Sequence, residues 1–100
     1  MLKLAVVAHA NDNVATTVKK LTKGENVTID FFGEKLEILL KEDIPFGHKF
    51  AIDDIKEGTE VFKYGEAIGQ STEDVEIGKY VHTHNLVSER GRGDLEAAIE

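Results

Sequence analysis

His82 and His84, two apart in the stretch GKYVHTHNL, are the side chains best suited to chemistry in a chain with four histidines. On an extended strand residues i and i+2 face the same way, so the two imidazoles would stand side by side. Neutral imidazole binds divalent metals, and a complete site needs a third ligand, a His, Asp or Glu brought in from elsewhere. His9 and His48, each beside a turn, are the candidates for that third place. The spacing permits a metal without demanding one. The polar face of an edge strand accounts for His-Thr-His with no ligand at all.

Two further clusters carry polar groups in suggestive places. In HANDNVAT, His9, Asn11, Asp12 and Asn13 precede a segment read as a short helix. The first N–H groups of a helix lack backbone partners and attract a carboxylate or a sugar hydroxyl. A good turn with an N-cap explains the same residues. In IPFGHKF, Gly47 turns the backbone while His48 and Lys49 project from a strand start. Lys49 suits a carboxylate or developing negative charge, and the alternative is a structural Pro-Phe-Gly turn with a solvated lysine. KYGEAIGQ, from Lys63 to Gln70, reads mainly as structural. No Ser-His-Asp set, phosphate-binding glycine loop or paired carboxylates stand in a context that argues for them.

The elements that must position these residues are marked by glycine. LTKGENV, IPFGHKF, IKEGTEV and VEIGKYV share one plan, an apolar residue three before a glycine and another three after it. Glycine takes positive φ without steric cost, so each unit reads as a tight turn that launches a strand. The spacing between units is too uneven for a solenoid. LKLAVVA, NVTIDFF, EKLEILLK, KFAIDDI, TEVFKYG, EAIGQS and KYVHTHNL read as short strands, with a hairpin around Gly33 and Glu34. NDNVATTVKKLTKG differs. Val14, Val18 and Leu21 fall on one helical face, with Asp12 or Asn13 and Gly24 as caps. The expectation is a mainly β fold with one short helix, over residues 1–88, and a flexible tail at 89–100.

Composition narrows the partners. The chain has 100 residues, enough for one small domain that buries about two-thirds of its unfolded surface. Nineteen acids against twelve bases give a net charge of −7, and no basic stripe extends beyond Lys19, Lys20 and Lys23. Such a surface repels phosphate backbones, so nucleic acid is not an expected partner. No apolar run approaches a membrane span. The run in MLKLAVVAHA is too short for a signal peptide, and patterned sequence follows it directly. Absence of cysteine excludes disulfides and fits the cytoplasm.

DNVAT after a histidine, then GHK, KYGEAIG and HTHN in that order, resembles the N-terminal domain of the altronate/galactarate dehydratase family. The resemblance runs from about His9 to Leu86 and implies the SAF-type β-clip fold. It also implies a lyase that dehydrates sugar acids to 2-keto-3-deoxy acids, or, in a related branch, removes sulfite from sulfolactate. In the family a large second domain carries most of the catalytic machinery after the HTHNL-like segment. The expectation is therefore a small subunit that meets a separate large catalytic dehydratase subunit, or, alone, a homo-oligomer or non-catalytic binding module. By resemblance, Fe²⁺ or another divalent ion serves the assembled enzyme, with His82 and His84 as metal or substrate contacts. His48 and Lys49 take catalytic roles, and His9, Asp12, Asn13 and Asn85 meet the sugar acid.

Overall fold

The computed structural model describes residues 4–88. Within them the chain forms nine strands: β1 (Ala5–Val6), β2 (Val14–Thr17), β3 (Asn26–Phe31), β4 (Glu34–Leu39), β5 (Lys49–Ala51), β6 (Glu60–Lys63), β7 (Glu66–Ser71), β8 (Tyr80–Val81) and β9 (Leu86–Ser88). They make a sheet ordered β1-β2-β5-β8, a β3-β4 hairpin and a sheet ordered β6-β7-β9. The mainly β expectation is met. The tail assigned to 89–100 lies outside the described residues.

The four glycine units are the frame, and they work in pairs. Leu21 and Ile44 exchange both backbone hydrogen bonds at 2.9 Å, while the Gly24 and Gly47 N–H groups donate to Leu40 O and Thr17 O. Ile55 and Val75 exchange bonds at 2.8 and 2.7 Å, and Gly58 and Gly78 donate to Ser71 O and Ala51 O. Each unit thus spans its first carbonyl, an apolar bridge residue four later and a glycine seven later. Each pair is related by a local twofold exchange. Three units also carry an aspartate one before the bridge residue: Asp43, Asp54 and Asp74 accept from Lys23, Ile77 and Glu57 N–H at 2.8–3.0 Å. Lys20 stands there in the fourth. All four glycines have φ between 78 and 94°. The eight flanking apolar side chains are buried, each worth about 1.5–3 kcal/mol by burial.

Residues Asp12 to Gly24 do not form the expected helix. Val14, Val18 and Leu21 do share a helical spacing, but Val14–Thr17 is β2, paired on one side with β1 and on the other with β5. β-Branched side chains lose χ1 freedom in a helix and pack well on a pleated surface. Burial of Val14, Ala15 and Thr17 between two neighbouring strands decides it. Gly24 belongs to the first turn instead.

Both hairpins close on two-residue turns with positive φ at each position. They are Phe32–Gly33 (51°, 94°) and Tyr64–Gly65 (58°, 75°), the type I′ geometry that matches strand twist. Glu34, expected in the first turn, already belongs to β4. The central sheet separates two cores. Ala15 and Phe50 face the cluster holding Leu21, Ile29 and Ile44, whereas their neighbours Val14 and Ala51 face the one holding Ile55, Val61 and Val75.

Candidate functional site

The second and fourth glycine turns bring the histidines together. Gly47 ends its turn so that His48 precedes β5, with its backbone fixed by Pro45 O and Thr17 N. β8 pairs with β5 in the register Phe50↔Tyr80, which sets the Tyr80 ring beside His48. The Tyr80 hydroxyl and His48 Nδ1 lie 2.5 Å apart. His82 packs against both: its ring centroid is 4.6 Å from that of His48 and 5.5 Å from that of Tyr80, nearly parallel to the latter at 7°. His84 approaches the same tyrosine at 5.4 Å and 44°.

His82 and His84 do not sit on a strand as expected. β8 ends at Val81, and residues 82–85 form a turn into β9. Asn85 makes that turn. Its buried side chain accepts from His82 N–H at 3.0 Å and donates to Tyr80 O at 2.8 Å. Tyr80 is the hub that the sequence reading passed over. Its signal was present, since Tyr80, His82 and His84 stand at i, i+2 and i+4.

Of the two histidines considered as a third partner, His48 joins the cluster. His9 packs elsewhere, its ring against Gly65, where an added Cβ would meet it at 2.9 Å. Asp12 is buried and accepts three backbone N–H groups, from His9 (3.0 Å), Tyr64 (3.1 Å) and Gly65 (2.8 Å). Asn13 bonds Phe62 N–H and Glu60 O. Asp12 and Asn13 thereby bind the first loop to the β6–β7 hairpin, whose first strand ends in Lys63.

Electrostatics follow from this packing. Burial lowers the His82 pKa below the usual imidazole value, and the charges of His48, Lys49 and His84 lower it further. His82 is therefore a neutral imidazole at neutral pH, able to accept a proton. Burial, reinforced by Lys63, lowers Lys49. Burial raises Tyr80, which keeps its phenol protonated as a donor to His48. Replacing Lys49 with Met removes one repelling charge and is expected to raise the His82 titration midpoint, read by NMR of the imidazole. An unmoved midpoint would show that Lys49 does not act on His82. Because His82 is lowered in the fold, stability tied to its neutral form is present above the ordinary imidazole pKa. It is lost as pH falls through the lowered one.

Among the described residues no three His, Asp or Glu side chains gather as a metal-binding group. His48 Nδ1 is taken by Tyr80, and His82 and His84 both pack on the tyrosine. The residues do not fit a self-contained metal centre.

Residues 3–89, which include every residue of the site, match the family described as the altronate/galactarate dehydratase SAF domain. The chain belongs to that family. This SAF domain is 37% identical over 84 residues to an altronate dehydratase of Bacillus subtilis, covering 84% of the chain and 16% of the relative. It is 42% identical over 77 residues to one from Escherichia coli, covering 77% and 15%. The chain thus spans about one-sixth of those enzymes' length. It is also 40% identical over 88 residues to the (2R)-sulfolactate sulfo-lyase subunit alpha of Chromohalobacter salexigens, covering 85% of the chain and 94% of the relative. Among the described residues no helix is long and apolar enough to cross a membrane.

Proposed function

We propose that this SAF domain is the small component of a hydroxy-acid lyase, altronate dehydratase first, and that a large catalytic subunit completes its site. The observation that carries this is the His48–Tyr80–His82 arrangement: one neutral imidazole beside another that is hydrogen-bonded to a protonated phenol. Dehydration of a sugar acid removes the proton next to the carboxylate and breaks the C–O bond to the β-hydroxyl. The hydroxyl leaves with a proton as water, and the enol becomes the 2-keto-3-deoxy acid. In this reading His82 accepts the α-proton, while His48 relays a proton to the leaving hydroxyl from Nε2 as its Nδ1 takes the Tyr80 phenol proton. Lys49 stabilises the enediolate charge, while the exposed His84 meets the substrate carboxylate. Asn85 holds the turn that carries His82 and His84, while Asp12 and Asn13 hold the β6–β7 hairpin, with His9 against its Gly65. A divalent ion such as Fe²⁺ belongs, in this reading, to the partner's side of the site.

A second reading shares the chemistry and changes the leaving group. The near-complete span of a sulfo-lyase alpha subunit supports removal of sulfite from sulfolactate. Co-expression with a large lyase subunit, then assay on aldonates, aldarates and sulfolactate with Fe²⁺ supplied, separates the two. Turnover of altronate by the assembled pair, absent with either chain alone, is the expected result. A large subunit equally fast alone would reduce this chain to a binding module.

A further inference from the structure

The geometry points to a docking face in which Phe46 and Tyr64, each next to a basic or imidazole group of the site, seat this domain on its catalytic lyase partner. The inference rests on the lyase reading above and names the contact surface. Among the described residues these are the most exposed large apolar side chains, at 70% and 67%. Each lies within two residues of a cationic or imidazole group of the site: Phe46 before His48, and Tyr64 after Lys63.

Both aromatics stand on turns that cannot relax. Phe46 lies between Pro45 and Gly47, and buried Thr17 holds the turn, its hydroxyl donating to Pro45 O at 2.8 Å and its carbonyl accepting from Gly47 N–H. Tyr64 is held by Asp12 through the Tyr64 and Gly65 N–H groups, with the His9 ring against the glycine. Tyr64 also adopts φ of 58°, a conformation in which a bulky side chain is an outlier and for which Asn or Gly is the usual choice. Apart from the Lys63 ammonium 5.1 Å from the Tyr64 ring centroid, an exposed aromatic held in an unfavourable backbone by a rigid clamp adds little to the isolated fold. It does lower the ordering cost of binding.

Charge names the partner. Lys49 and Lys63 lie close enough to repel one another, Lys63 Nζ is 5.1 Å from the Tyr64 ring centroid, and His82 lies beside Lys49, on a chain of net charge −7. That face complements an acidic surface with two apolar recesses, so the occupant is a large lyase chain of that character.

The test titrates the full chain with the complementary subunit of the Chromohalobacter salexigens sulfo-lyase as probe, by calorimetry and sedimentation. Phe46→Ser and Tyr64→Asn are each expected to weaken association by at least about tenfold. Phe32→Asn, at the other strained hairpin turn, should bind as the parent does. Both Asn variants should melt at or above the parent temperature, which separates lost docking from lost folding. Added salt should weaken the parent complex. Unchanged binding by Phe46→Ser and Tyr64→Asn overturns the docking face and leaves the lyase reading standing, as does an equal loss with Phe32→Asn. A parent chain that binds neither this subunit nor a large altronate dehydratase chain removes both. Self-association abolished by the same two variants would assign the face to a second copy and overturn the inference.

Discussion

Gly78→Ala is expected to melt on the order of 10–30 °C below the parent protein. Its φ of 88° already disfavours any side chain, at about 1–2 kcal/mol. The added Cβ would also stand 2.2 Å from the Leu39 carbonyl oxygen, and relief by backbone movement costs about 1–3 kcal/mol more. That movement falls where two hydrogen bonds cross, Gly78 N–H to Ala51 O and Lys41 N–H to Gly78 O. A small domain has about 5–15 kcal/mol in all, so much of the margin goes. Gly58→Ala is the control. Its φ is similar at 82°, but nothing lies within 4 Å of its added Cβ. It should lose only the backbone term. Equal melting temperatures for the two variants would mean that β4 moves aside at no cost.

Replacing His82 and His84 together with Ala is expected to lower turnover of the assembled lyase by about 10²–10⁴-fold, the usual contribution of positioned acid–base groups. Folding should survive, because His84 is exposed, His82 is half-buried and Asn85 still closes their turn through Tyr80 O and His82 N–H. Circular dichroism and kcat measured on the same samples separate the effects. Undiminished turnover would leave the pair as polar cover for Tyr80.

The glycine turns were readable because a local signal sufficed: one residue free to take positive φ, with apolar residues three away on each side. Their pairing was not readable. Which carbonyl Gly24 or Gly78 finds depends on chain more than fifteen residues away, and nothing near the glycine encodes it. The misread helix has a related cause. Val14, Val18 and Leu21 fit a 3.6-residue period by accident of spacing, and only the flanking partners β1 and β5 show that 14–17 must be extended. The candidate site divides in the same way. His48, Lys49, His82 and His84 stand out by residue type and do assemble, but Tyr80 carries no local mark, because its hydroxyl finds His48 across thirty-two positions. Asp12, Asn13 and Asn85 were chosen for exposed chemistry. The turns that they hold lie too far along the chain, or too close to be noticed, for sequence to separate anchoring from contact.

The central sheet, with a core on each face, has a consequence for damage. Neighbouring residues Phe50 and Ala51, like Val14 and Ala15, serve opposite interiors. A slip of one residue in β2 or β5 would expose both interiors at once, so neither can be sacrificed to preserve the other. The two glycine-turn pairs are tied by the Lys41 N–H to Gly78 O hydrogen bond and have one fate. Among the described residues no half can open to admit a ligand while the rest stands. Any adjustment on assembly must therefore come from its loops and side chains.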